Sequence, residues 1–125
     1  MIAVDTCVIM NFFQGKSSDT NQHFRDALHN NAVVLPPVVL SELLSYVHPS
    51  KDIENSLIAL PLLDITSGFW QRLGYTRRTL LQKGRKSRIG DAMIAQGCID
   101  HNVPLLTEDS DFSPYAIYAS LKLVT

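Results

Sequence analysis

No apolar stretch in these 125 residues approaches the ~20 that a membrane-crossing helix needs. Cysteine is scarce. Cys7 and Cys98 are far apart, in no metal-ligand or redox spacing, and read as reduced, buried thiols of a cytosolic protein. Charged residues are few, at 18%, and the net charge of −1 argues against both a general nucleic-acid sponge and an acidic tail protein. Few charges with 46% hydrophobic residues also argue against disorder and leave ample material for a core. The opening MIAVD has no basic lead, and Asp5 interrupts its apolar run early, so a secretory signal is not expected and a cytoplasmic location is. No internal repeat or low-complexity linker is present, and the length fits one domain over residues 1–125. One absence is local. No acid occurs between Asp64 and Asp91, whereas that interval holds Arg72, Arg77, Arg78, Lys83, Arg85, Lys86 and Arg88, seven of the eleven Lys and Arg residues.

What is present alternates between two kinds of segment. MIAV, AVVLP, PLLDIT, VPLLTED and LKLVT read as strands. TCVIMNFFQG reads as a short helix with Gly15 as its stop. DTNQHFRDALHNN carries Phe24, Ala27 and Leu28 at helical spacing, with Asp19 or Thr20 as cap. PVVLSELLSYVH opens on a proline suited to a first helical turn, and KDIENSLIAL is a further helix. SGFWQRLGYTRRTLLQKGRK predicts a long helix capped by Ser67, and IGDAMIAQGCIDHN another closed by Asn102. Alternating strands and helices predict an α/β domain around a mainly parallel sheet, its strands apolar throughout because both faces are covered.

In such sheets ligands bind beyond the carboxyl ends of the strands. Asp5 follows IAV, and Asp109 follows VPLL within the acidic run Glu108, Asp109 and Asp111. Glu42 lies in the helix after the second strand, in the apolar setting VVLSELLSYV, where an ordinary solvated glutamate is a poor account of it. Asp91 lies near a helix start, where the dipole favours an anion. Four acids from four elements can thus meet in one cleft. Each has a plainer reading too: Asp5 or Asp91 as a helix cap, Asp109 or Asp111 as a turn acid.

The order and setting of these acids resemble the PIN domain family of metal-dependent ribonucleases, most of all the VapC-like toxins of bacterial toxin–antitoxin pairs. VDTCVIMNFFQG resembles the family's opening, LPPVVLSELLSYV its glutamate helix, and IGDAMIAQGCIDHNVPLLTEDSDF its Asp-Ala helix leading to a strand and a Thr-x-Asp-x-Asp-Phe ending. The resemblance covers nearly the whole chain. It implies a three-layer α/β/α PIN-like domain with a mainly parallel central sheet. It implies an acidic catalytic and metal-binding site of Asp5, Glu42, Asp91 and Asp109, with Asp111 as a further metal ligand and Thr6 and Thr107 as nearby hydroxyls. It also implies an RNA substrate, a cognate antitoxin protein and a homodimer. Gly90 departs from the pattern, standing where an apolar residue is commoner, and is expected to loosen that helix start.

All the acids are hard oxygen donors with no convincing His or Cys set beside them, which favours Mg²⁺ or Mn²⁺ over Zn²⁺. Such an ion activates water and offsets charge on a phosphate during phosphodiester hydrolysis. The basic segment beside Asp91 reads either as a solvated helix face or as a phosphate-gripping rim. Trp70 and Tyr75 read first as core packing and second as base-stacking platforms. His23, His29, His48 and His101 are scattered and read as surface or packing residues. Two other readings fail on the residues after the first strand. A receiver domain needs adjacent acids and a haloacid-dehalogenase-like phosphatase an Asp-x-Asp, where this chain has Asp5-Thr6-Cys7. A catalytically inactive PIN-fold binding module remains as the alternative.

Overall fold

The computed structural model describes residues 1–46 and 50–124. The end of the PVVLSELLSYVH segment, His48 and Thr125 therefore lie outside the described residues. Three short parallel strands form the centre: β1 (Ile2–Val4), β2 (Val33–Val34) and β3 (Leu105–Leu106), in the order β2-β1-β3. Ala3 aligns with Val34 on one side and Leu105 on the other. Ala3, Val4 and Leu105 are wholly buried, as expected of a sheet covered on both faces. The segments PLLDIT and LKLVT, expected as strands, contribute only single parallel bridges, Leu62 to Leu35 and Leu123 to Leu105. At the first of these, Pro61 accepts from the Leu35 amide but has no N–H of its own to extend the ladder.

Helices flank the sheet, giving the mixed α/β architecture expected. They are α1 (Thr6–Phe13), α2 (Asp19–His29), α3 (Pro37–Tyr46), α4 (Lys51–Ile58), α5 (Phe69–Gln82), α6 (Ile89–His101) and α7 (Ser113–Tyr118). A 3-10 turn, Ser110–Phe112, precedes α7. α1 ends before Gly15, which takes the left-handed φ of 74° that lets a helix stop. The cap of α2 is Ser18, not Asp19 or Thr20: its hydroxyl accepts from the Asn21 amide at 3.0 Å. α5 starts one residue later than expected, because Gly68 at φ 83° turns the chain into it and no side chain caps it. The Ser67 carbonyl instead accepts from Arg72 Nη1 at 2.8 Å. Asn102, left-handed at φ 52°, closes α6 as expected. Gly90 sits inside α6, which begins at Ile89, so the helix start is not displaced by it.

α6 is the buried spine: Ala92, Ile94, Ala95, Gln96, Gly97 and Cys98 are all enclosed. α5 is clamped to it by a polar network. Asp100 accepts from Arg72 Nε at 2.9 Å and Nη2 at 2.7 Å, and from Gln96 Nε2 at 2.8 Å, while Gln96 Oε1 accepts from Thr76 at 2.5 Å. Burial alone would raise the Asp100 carboxyl, but these donors and the Arg72 charge outweigh it and hold it below the usual carboxylate range. On the other side, Phe12 of α1 meets Phe24 of α2 edge to face, with centroids 5.0 Å apart. Cys98 is buried as expected. Cys7 is not: it faces solvent from the first turn of α1.

Candidate active site

β1 and β3 are neighbours, so their carboxyl ends deliver Asp5 and Thr107 side by side. Asp5 is the N-cap of α1. Its Oδ1 accepts from the Thr6 amide at 2.8 Å and its Oδ2 from Thr107 Oγ1 at 2.8 Å. Thr107 Oγ1 also accepts from the Asp109 amide at 3.0 Å, and Asp109 Oδ1 accepts from the Asp111 amide at 2.8 Å. Thr6 Oγ1 donates to Glu42 Oε1 on α3 at 2.9 Å. Asp111 Oδ2 pairs with Lys86 Nζ at 3.1 Å. A continuous polar chain thus runs from Glu42 through Thr6, Asp5, Thr107, Asp109 and Asp111 to Lys86. Asp5 is thus a helix cap and Asp109 a turn acid, and the chain of hydrogen bonds joins the two.

Electrostatics place Asp91 in the same neighbourhood. Burial pushes the Asp5 carboxyl up to about 6, against the lowering pull of the Thr107 and Thr6 hydrogen bonds, and the charges of Asp109 and Asp91 add to the rise. Burial also raises Asp91, with Asp109, Asp111 and Glu42 pushing the same way and Arg88 opposing. The Cys7 thiol is raised by partial desolvation of its inner side and then by Asp5, Asp109, Glu42 and Asp91, so it stays protonated at the rim. Cys98, beneath, is pushed up to about 12, by burial and then by Asp5.

A divalent cation fits this site by donor type and by charge. The acids are oxygen donors only, and the one carboxylate enclosed among them carries a penalty that a cation would remove. Among the described residues, however, no three His, Cys, Asp or Glu side chains stand together as a closed metal cage. Asp5, Glu42, Asp109 and Asp111 are each tied to a donor of their own. Among the described residues no hydrogen bond engages the Asp91 carboxylate.

The basic segment divides. Arg72 is spent on Asp100, Arg77 donates from Nε and Nη2 to the Ser87 carbonyl at 3.1 and 2.9 Å, and Lys86 holds Asp111. Ser87 in turn hydrogen-bonds the buried Tyr115 hydroxyl at 2.7 Å, fixing the loop between α5 and α6 beside the acids. Composition marked this segment as basic but gave no sign that Lys86 would reach Asp111. Trp70 and Tyr75 are not core residues: they are 59% and 58% exposed on α5. His101 Nε2 lies 2.8 Å from the Asp64 carbonyl, and His23 and His29 are exposed on α2, away from the acids.

No curated protein matches the chain. Solved structures do. A chain of VapBC2 from Rickettsia felis, in a complex bound to a DNA fragment from their promoter, is 22% identical with a TM-score of 0.74, covering 99% of this chain and 98% of that one. FitAcB from Neisseria gonorrhoeae is 18% identical at a TM-score of 0.73, with 100% and 97% covered. VapBC-5 from Mycobacterium tuberculosis, a member of the VapBC family of toxin–antitoxin systems, is 23% identical at 0.65, with 98% and 96% covered. At these identities the likeness is one of fold. The sequence profile of the PIN domain matches residues 2–118, and with the acids at the sheet's carboxyl edge it settles the family: the chain belongs to the PIN domain family.

Proposed function

We propose that residues 1–125 act as one domain, a Mg²⁺- or Mn²⁺-dependent endoribonuclease that is the toxin of a type II toxin–antitoxin pair. The observation that carries this reading is Asp5, buried, ionisable near neutrality, and surrounded by acids from three other elements. Asp5, Glu42, Asp91 and Asp109 would hold the cation, with Asp111 as a further ligand. When bound, such an ion supplies a more acidic attacking water and neutralises charge developing on the phosphate. Thr6 and Thr107 hold Glu42 and Asp5 in fixed orientations, so less reorganisation is left for the reaction itself. Among the four acids the Asp91 carboxylate alone accepts no hydrogen bond among the described residues, which leaves it free to take a proton from water.

The partner follows from the relatives and from one surface. Among the named relatives, VapBC-5 is a member of the VapBC family of toxin–antitoxin systems, and VapBC2 shares that family name. In this chain Phe12, Phe13, Phe24, Leu28, Leu57 and Leu60 line an open apolar hollow of about 460 Å³ between α1, α2 and α4. An antitoxin segment seated there would cover Phe13, which is 40% exposed. The toxin would act as a homodimer, which sedimentation at micromolar concentration tests. The enzymatic reading is tested by incubating the purified chain with single-stranded RNA. Cleavage with Mg²⁺ or Mn²⁺ that stops in EDTA, and is lost in a folded Asp91→Asn variant, is the expected result. Cleavage undiminished in that variant removes Asp91 from the site.

A further inference from the structure

The outer face of α5 is used by neither the fold nor the acidic site. Trp70 rests edge-on against buried Phe69, with centroids 5.0 Å apart, and leaves most of its ring in solvent. Tyr75 is equally exposed and carries the Arg78 guanidinium 5.0 Å from its ring centroid. Between them lies Gly74, whose missing Cβ would meet nothing within 4 Å. Glycine weakens a helix interior relative to alanine, and no neighbour here requires it. The result is one exposed stretch of helix in which a glycine stands between two exposed aromatic rings, with a cation beside the second.

Charge says what fits the strip. No acid lies between Asp64 and Asp91, and Arg78, Arg85 and Arg88 are exposed there without an ion pair among the described residues. Along the chain α5 leads toward the acids, into the loop that Arg77 and Tyr115 fix through Ser87 and whose Lys86 touches Asp111. We propose that the outer face of α5 is a docking strip for single-stranded RNA, with Trp70 and Tyr75 stacking bases, Gly74 admitting the backbone, and Arg78 and Arg85 taking phosphates on the way to the cleft. The proposal rests on the ribonuclease reading for the identity of the strand. Flat rings accept any base, so the strip selects for unpaired strands over duplexes and not for sequence.

Trp70 is the sole tryptophan, which makes its fluorescence a direct reporter. A short single-stranded RNA, titrated in EDTA so that metal-dependent cleavage is off, quenches it saturably, and the same sequence as a duplex does not. Tyr75→Ala raises Kd by about tenfold. Arg78→Gln flattens the dependence of log K on log salt by about 0.7. Gly74→Leu raises Kd with no fall in melting temperature, separating a blocked strip from a damaged fold. Absence of quenching, or an unchanged Kd in both Tyr75→Ala and Gly74→Leu, overturns the proposal. So does a double Trp70→Ala, Tyr75→Ala variant that binds RNA normally but sediments at a different mass, which makes the face a contact between copies. Metal-dependent cleavage without quenching removes the strip and leaves the nuclease. Quenching with no cleavage in Mg²⁺ or Mn²⁺ does the reverse.

Discussion

Replacing Asp5 with asparagine should stabilise the metal-free protein. The Asp5 carboxyl titrates at about 6 in the fold against 3.8 when unperturbed. At ~1.4 kcal/mol per pKa unit, the ionised group costs the fold about 3 kcal/mol. The sign follows from linkage. An acid raised in the folded state costs nothing while both states are protonated, below about 4. Its penalty grows between about 4 and 6 and is complete above 6. Asparagine carries no charge, and its oxygen still accepts from the Thr6 amide. Its amide meets Thr107 Oγ1 less well than a carboxylate does, a loss of about 1 kcal/mol. The net gain at pH 8 is about 2 kcal/mol, or roughly 8 °C in melting temperature for a chain of this length. Thermal melts in EDTA from pH 5 to 8 test it. The gain should shrink toward pH 5, where wild-type Asp5 is mostly protonated. Mn²⁺ should raise the melting temperature of the wild type more than that of the variant, because a poorer ligand binds the folded state more weakly. A variant that melts lower at pH 8, or whose advantage is the same at both ends of the range, refutes the reasoning.

Thr107→Val should cut RNA cleavage at least tenfold while the protein stays folded, since its hydroxyl links Asp5 to the Asp109 amide; unchanged kcat would make the hydroxyl incidental. Leu105→Ala, at a fully buried position on β3, should lower stability by roughly 2–5 kcal/mol in denaturant melts. Arg72→Met should lower the melting temperature by leaving Asp100 on α6 without its cation, and the loss should lessen as acidification protonates Asp100. Lys86→Met should increase the Mn²⁺-induced rise in melting temperature, because it frees Asp111 from a competing cation.

The acids were legible because each stands where an apolar run stops. Asp5 ends IAV, Asp109 closes LLTED, and Glu42 interrupts the hydrophobic run of α3. Parallel pairing then does the rest, since β1 and β3 must be neighbours for the two strand ends to meet. The lengths of elements were less legible: β2 and β3 are two residues each, and six-residue α7 is too short to show a helical period. The exposure of Trp70 and Tyr75 was readable and misread. Phe69, Leu73 and Leu80 fill the inward stripe of α5, and both aromatics fall off that phase. The switch of cap from Ser67 to Gly68 depends on Arg72 reaching back to the Ser67 carbonyl, a contact that propensity does not encode.

The position of β1 sets an order of events. Its pairing with β3 joins Ala3 to Leu105, and the Asp5 amide donates to the Leu106 carbonyl, so the centre of the sheet closes only across about a hundred residues. Chains are made from the N-terminus, and a nascent chain that stops short of Thr107 has neither the hydroxyl that holds Asp5 nor the third strand beside it. The acids at positions 5 and 42 emerge early and stay apart from those at 109 and 111 until synthesis has nearly passed the whole fold. The assembled set of acids is therefore a property of the closed sheet, and a half-made chain carries half of that set.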